Sequence, residues 1–170
     1  MNQSLTRLNQ LPSQVAEAEF LKCCGSMNWA RRMSDARPFA DLNHLTKEAD
    51  RIWRSLTDDD WLEAFRAHPK IGEKKAEATQ SAQAQGWSAQ EQSESQKTTD
   101  ATKVALAQGN REYEERFGFI FIICASGKSG EEILGALRGR LVNERHDELR
   151  VAAEEQRKIT QLRLQKLIDN

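Results

Sequence analysis

Strand propensity is strong in only one stretch of this chain, Phe117-Gly118-Phe119-Ile120-Phe121-Ile122-Ile123-Cys124-Ala125, where aromatic and β-branched residues run together. A lone strand has nothing to pair with, and the remaining segments carry helical signals. The chain is therefore expected to be all-α, a single-domain helical bundle of about eight helices over residues 1–170, with one extended apolar connection. Backbone N–H and C=O groups along that connection need partners other than a sheet, which makes it a candidate ligand wall.

The helical signals carry their own punctuation. Ser13 is placed to cap a first helix in which Val15, Ala18, Phe20, Leu21 and Cys24 recur at helical spacing, ending near Gly25-Ser26 or continuing to Met33. Arg37-Pro38-Phe39 breaks the pattern, and Asp41 opens a second helix with Leu42, Leu45, Ala49, Ile52, Trp53 and Leu56 inward. Thr57-Asp58-Asp59-Asp60 has capping-box spacing, with acidic residues where the helix dipole favours them. Residues 73–86 have little apolar content and read either as a mobile loop, a candidate lid, or as a lightly packed helix. Ser88-Ala89-Gln90-Glu91 has the spacing of a second capping box and predicts a long polar helix reaching Ala107 before Gly109, followed by a short helix carrying Tyr113. Ser129-Gly130-Glu131-Glu132 opens a helix bearing Ile133, Leu134, Leu137 and Leu141, and a final helix is expected from about Asp147 to Leu167.

Composition bounds the classes of function. With 38% hydrophobic and 30% charged residues the chain fits a soluble globular protein, and a net charge of -1 gives no general reason to bind nucleic acid or an acidic membrane. No apolar run approaches the roughly 18 residues of a membrane span, and no basic-then-apolar leader opens the chain. Cys23, Cys24 and Cys124 are odd in number and lack C-x-x-C spacing, so neither a disulfide framework nor a zinc site is suggested; a reducing cytoplasm fits.

Two residues stand out as chemistry. The helix Asp60–Ala67 runs into His68-Pro69-Lys70-Ile71-Gly72, and the residue before a proline is pushed out of helical geometry, so His68 sits where the backbone turns away. The other two histidines, His44 and His146, lie in charged helical patterns and read as solvated. In the last helix Leu149, Ala152, Ala153, Ile159 and Leu167 form an apolar face, and Gln156 and Arg163 fall inside that sector, within about 40° of Leu149. A buried guanidinium needs a partner, which is either a structural one (a carboxylate, backbone carbonyls, or water reached by snorkelling) or a bound anionic ligand.

Other motifs fail on inspection. Gly127-Lys128-Ser129 resembles the end of a phosphate-binding loop, but Ile122 stands where its first glycine is required. The histidines lack metal-ligand spacing, no G-x-S-x-G elbow supports a serine triad, and the tryptophans Trp29, Trp53 and Trp61 fall at core spacing.

Several short motifs nevertheless recur in one order: Cys24-Gly25-Ser26 with Trp29, Arg37-Pro38-Phe39, Trp61-Leu62-Glu63-Ala64-Phe65, Ala67-His68-Pro69 with Ile71-Gly72, Ser88 with Glu91-Gln92, Asn110 with Tyr113, Phe117-Gly118-Phe119 with Phe121, Gly127-Lys128-Ser129, Arg140-Leu141 with Asn143, Glu148-Leu149, and Glu155-Gln156 with Leu162-Arg163-Leu164. Together they resemble the 2-oxo-4-hydroxy-4-carboxy-5-ureidoimidazoline (OHCU) decarboxylases over nearly the whole chain. The resemblance implies an all-helical, cofactor-free and metal-free carboxy-lyase of urate breakdown, cytoplasmic and commonly a homodimer, that converts its small-molecule substrate OHCU to (S)-allantoin and carbon dioxide. It maps the catalytic histidine onto His68 and its acidic partner onto Glu91. Substrate contacts map onto Pro69, Ser88 and Gln92, onto Phe119, Ile120, Phe121, Ile122 and Ile123, and onto Arg163. Family members often carry another residue where this chain has Ile120, so backbone contacts there are expected to shift slightly. Two other classes, a helical interaction module built on the polar 88–107 stretch and a metal-dependent ring hydrolase, are opposed by the intact His68, Glu91 and Arg163 and by the missing ligand clusters.

Overall fold

The computed structural model describes residues 2–169 apart from 74, 75, 77 and 79. Among the described residues the helices are α1 (Gln3–Gln10), α2 (Ser13–Cys23), α3 (Met27–Asp35), α4 (Leu42–Arg54), α5 (Asp58–Arg66), α6 (Ala82–Glu91), α7 (Asp100–Phe117), α8 (Gly130–Arg140) and α9 (Arg145–Asp169), with a 3-10 turn at Ser95–Lys97 and no strand. The all-α class is as the sequence implied, with one helix more than expected. No helix among the described residues is long and apolar enough to cross a membrane. The contacts divide the chain into two compact units, residues 1–64 with 157–170 and residues 65–156.

In the first unit, Pro12 rather than Ser13 occupies the cap position of α2, and Ser13 is already helical. That register turns Ala16, Phe20 and Cys23 inward and leaves Val15 exposed, contrary to expectation. Cys24 is extended, which ends α2, and the Ser26 hydroxyl caps α3 by accepting from the Trp29 N–H at 3.2 Å. Asp41 caps α4 as expected, accepting from the His44 N–H at 2.7 Å. Thr57 and Asp60 exchange the two reciprocal bonds of a capping box at the start of α5, each 3.3 Å. α2 packs on α3 and α3 on α4. Between them the Phe20 ring meets Trp29 and Phe39 edge-on, with centres 6.0 and 6.2 Å apart, and the Trp29 indole N–H donates to the Ala49 carbonyl.

The second unit holds the larger departure from expectation. Ser81, not Ser88, caps α6, its hydroxyl accepting from the Ala84 N–H at 3.1 Å. The chain then makes its 3-10 turn, and Thr99 caps α7 by accepting from the Thr102 N–H. The expected helix over 88–107 is thus split between two helices. With so few apolar residues it has no continuous face to hold it straight, and the hydroxyls at 81 and 99 satisfy the free helix-start donors. α7 continues through Gly109 and carries Tyr113 itself. Gly109 is where α8 comes close, since a Cβ there would lie 2.7 Å from the Leu137 side chain. Gly118, left-handed at φ 79, ends α7 with its N–H donating to the Glu114 carbonyl at 2.8 Å. Ser129 opens α8 as expected, and with Glu132 it forms a capping box. Of the 73–86 stretch, read as a mobile loop, a candidate lid, or a lightly packed helix, residues 82–86 are helical, and 74, 75, 77 and 79 lie outside the described residues.

Candidate active site

The extended connection finds its backbone partners in side chains. The Ile122 carbonyl accepts from Arg140 Nη1 at 2.7 Å, the Cys124 N–H donates to Glu155 Oε1 at 3.2 Å, and the Cys124 carbonyl accepts from Lys128 Nζ at 2.7 Å. Arg145 Nε reaches the Phe117 carbonyl at 2.9 Å. Arg140 in turn lies over the Phe121 ring, 4.5 Å from its centre, and donates from Nε to Glu148 Oε1 at 2.6 Å. Glu148 is fully buried and also accepts from the Tyr113 hydroxyl and from Asn143 Nδ2. Burial, then the bond to Glu148, push the Tyr113 phenol well above its usual range, so it stays a donor. Phe119 packs among the rings of Phe65, Tyr113 and Phe117. The segment is an apolar surface held through its backbone by Arg140, which is paired with Glu148, and by Lys128 and Glu155.

His68 follows the end of α5, its N–H donating to the Phe65 carbonyl at 3.1 Å, and Pro69 forms an isolated bridge with Ala76. The imidazole is only 8% exposed, and its Nε2 lies 2.6 Å from Oε1 of the fully buried Gln156. Gln156 therefore holds the histidine while its neighbour Glu155 holds the backbone of Cys124. One turn of α9 ties both the imidazole and the apolar segment. The Cys124 thiol is pushed up by burial, with Lys128 opposing and the carboxylates of Glu155 and Glu91 adding to the rise. Cys124 is therefore an inert thiol rather than a nucleophile.

Ser88, Glu91 and Gln92 close the C-terminal end of α6 and are all buried. Gln92 Oε1 accepts from the N–H of Gly72 at 2.9 Å, which fixes the loop after His68 at a residue with φ 90. Asn110 Nδ2 supports the same loop through the Ile71 carbonyl at 2.9 Å. Pro69, Gly72, Ser88 and Gln92 line a cavity of about 510 Å³ together with Glu73, Ala82, Gln85, Gly86, Ala89 and Gln96. Its size suits a small polar molecule. His68, Glu91 and residues 119–123 are not among its walls. A neighbouring cavity of about 380 Å³, with Lys70, Lys103 and Arg111 in its lining, contains none of the expected site residues.

Arg163 belongs to the first unit, where it is 3% exposed and Nη1 donates to the Lys22 carbonyl at 3.1 Å. The remaining expected residues, His68, Pro69, Ser88, Glu91, Gln92 and 119–123, belong to the second. Sequence reasoning missed the pairing of His68 with Gln156, although the amide's place in the apolar sector of α9 was its signal. It also missed the Tyr113–Arg140–Glu148 support, in which Tyr113 lies 35 residues from Glu148. Among the described residues no group of His, Cys, Asp and Glu side chains is arranged to hold a metal ion.

The family described as OHCU decarboxylase matches residues 9–165. The "Uric acid degradation bifunctional protein TTL" of Arabidopsis thaliana is 41% identical over 158 residues, 92% of this chain and 48% of that protein, so the chain spans about half that relative's length. The 2-oxo-4-hydroxy-4-carboxy-5-ureidoimidazoline decarboxylase of Haloferax volcanii is 30% identical and is matched over 94% of its length and 95% of this chain. A crystal structure of OHCU decarboxylase in the presence of (S)-allantoin superposes with a TM-score of 0.78 at 39% identity, covering 90% of this chain and 99% of that one.

Proposed function

The chain belongs to the OHCU decarboxylase family, and we propose that it decarboxylates OHCU to (S)-allantoin and carbon dioxide, the last step from urate to allantoin, with His68 as general acid and base. The observation that carries this reading is the match to the Haloferax decarboxylase across nearly the full length of both chains. The buried imidazole beside the apolar segment agrees with it.

The substrate's own chemistry makes a protein-only mechanism sufficient. One ring carbon bears a hydroxyl and a carboxylate beside a carbon doubly bonded to nitrogen. As the bond to the carboxylate breaks, its electron pair flows toward that imine, carbon dioxide leaves, and the hydroxyl oxygen gives up its proton to become the ring's amide carbonyl. A proton is then delivered to the neighbouring carbon on one face, which sets the (S) configuration. A histidine suits both transfers. Loss of charge at the carboxylate is favoured by apolar surroundings, which Phe119, Phe121, Ile122 and Ile123 supply, and groups near Ile120 hold the polar edges. Gln92, whose oxygen is engaged by Gly72, offers its NH2 to a substrate carbonyl, with Ser88 and Pro69 beside it in the same cavity. Glu91 binds the ureido nitrogens, and Arg163 meets a substrate oxygen anion. One domain over 1–170, a homodimeric assembly, a cytoplasmic setting and the lack of any cofactor complete the proposal; the buried free thiols Cys23, Cys24 and Cys124 fit a reducing compartment.

The test is to add the protein, with chelator, to freshly generated urate-oxidation intermediates and follow optical activity. Rapid formation of optically active allantoin is expected, lost in His68→Asn while circular dichroism stays unchanged. A spontaneous rate and racemic product from the wild type would refute the assignment.

A further inference from the structure

We infer that Gln156 is the positioning residue of His68, fixing its imidazole as the Nε2–H tautomer so that Nδ1 is the nitrogen that gains and loses the proton. The mechanistic meaning of this rests on the decarboxylase reading; the tautomer itself does not.

The warrant is the geometry of the pair. Nε2 and the amide oxygen of Gln156 are 2.6 Å apart, with His68 8% exposed and Gln156 fully buried. A carbonyl oxygen only accepts, so Nε2 must carry the hydrogen. The opposite assignment would require the amide to be turned over, with its NH2 toward the ring. In the orientation present no atom of Gln156 is orphaned, Gln80 Oε1 being the buried side-chain oxygen or nitrogen without a partner among the described residues. With Nε2 fixed as a donor in both protonation states, the difference between imidazole and imidazolium is a proton on Nδ1.

The choice of amide over carboxylate is informative because α9 carries one of each in succession. Glu155, the charged acceptor, is engaged by the Cys124 N–H, whereas neutral Gln156 is engaged by the imidazole. A carboxylate at 156 would stabilise imidazolium and remove the lone pair that a base needs. A neutral acceptor orients the ring without charging it. With the imidazole oriented by Gln156, Glu91 is left for the substrate.

The experiment uses the full-length protein labelled with 15N-histidine. Only three histidines are present, and His68→Asn assigns its signals by their disappearance. Long-range proton–nitrogen correlations of the wild type, without substrate, are expected to show neutral His68 as a single Nε2–H tautomer. An Nδ1–H tautomer, or an averaged mixture, overturns the inference without any variant being made. In Gln156→Glu, which keeps the side chain's shape, the His68 titration is expected to move up by about one unit or more, and the acid limb of the kcat/KM profile to move with it, giving about a tenfold loss on that limb, well below the midpoint, and a smaller loss near neutral pH. An unmoved pH profile in a folded Gln156→Glu protein would show that Gln156 does not act through His68. A wild type with the Nε2–H tautomer but no decarboxylation would instead overturn the proposed function and leave the tautomer assignment standing.

Discussion

Removing the charge of Glu148 is expected to cost more than any exposed substitution, and the structure says how much. The carboxylate is wholly buried and paired with Arg140, whose side chain is 12% exposed, while Tyr113 and Asn143 supply further donors. Glu148→Gln keeps volume and most hydrogen-bonding shape but leaves the guanidinium without its counter-charge. Breaking one side of a buried pair costs about 3–5 kcal/mol. Arg140 keeps the Ile122 carbonyl and the Phe121 ring, which favours the lower end, about 3 kcal/mol. With a urea dependence of about 2 kcal/mol per molar, the unfolding midpoint should fall by about 1.5 M. The double variant Arg140→Met with Glu148→Leu removes both charges and should recover much of that loss, because apolar replacements of a buried pair are often neutral. Urea unfolding followed by tryptophan fluorescence measures both. A midpoint shift below about 0.3 M for Glu148→Gln, or a double variant worse than the single, would refute the claim that this ion pair supports the segment.

Two further outcomes follow from buried groups in the first unit. Burial holds the Cys24 thiol up to about 12 and pushes Cys23 higher still, against an ordinary value of 9.0, with Arg163 working against the rise at Cys23. Both raised groups stabilise the native state fully below pH 9.0 and lose that contribution as pH climbs toward 12, since the unfolded thiols ionise first. Each should contribute a decline of about 1.4 kcal/mol per pH unit across that window, shallower in Cys23→Ala; equal urea midpoints from about pH 8 to about pH 10.5 would contradict it. Replacing Arg163 by Lys or Ala should lower OHCU turnover, and an unchanged steady-state rate in a folded variant would leave the arginine with its bond to the Lys22 carbonyl as a structural role alone.

Local rules carried the sequence reading where one residue decides. Asp41, Thr57 with Asp60, and Ser129 with Glu132 cap helices because a short polar side chain reaches the free N–H groups three residues on. The same rule failed at Ser88, whose spacing to Glu91 is right but whose place inside α6 is set by Ser81, seven residues earlier. Spacing identifies a competent cap, not the one used. Val15 and Ser13 were misread for a similar reason, since the register of α2 follows from where Pro12 starts it. Within the candidate site, Pro69, Ser88 and Gln92 were legible through family resemblance and do share a cavity. The partner of His68 was not legible, because 88 residues separate it from Gln156 and nothing local joins them. Only tertiary packing of α9 creates that bond.

The side-chain bonds along the extended connection also protect the chain from itself. Phe119-Ile120-Phe121-Ile122-Ile123-Cys124 has no charge, no proline and no glycine, the composition that stacks into cross-β aggregates when exposed. Lys128, Arg140 and Glu155 occupy backbone groups that a second strand would otherwise claim, and charges beside such a stretch also repel copies of it. All three lie C-terminal to the segment, so a chain made from its N-terminus exposes its stickiest six residues before the guards that cover them. Solubility of this protein is thereby a matter of timing: whatever delays α8 and α9 lengthens the interval in which neighbouring chains can aggregate.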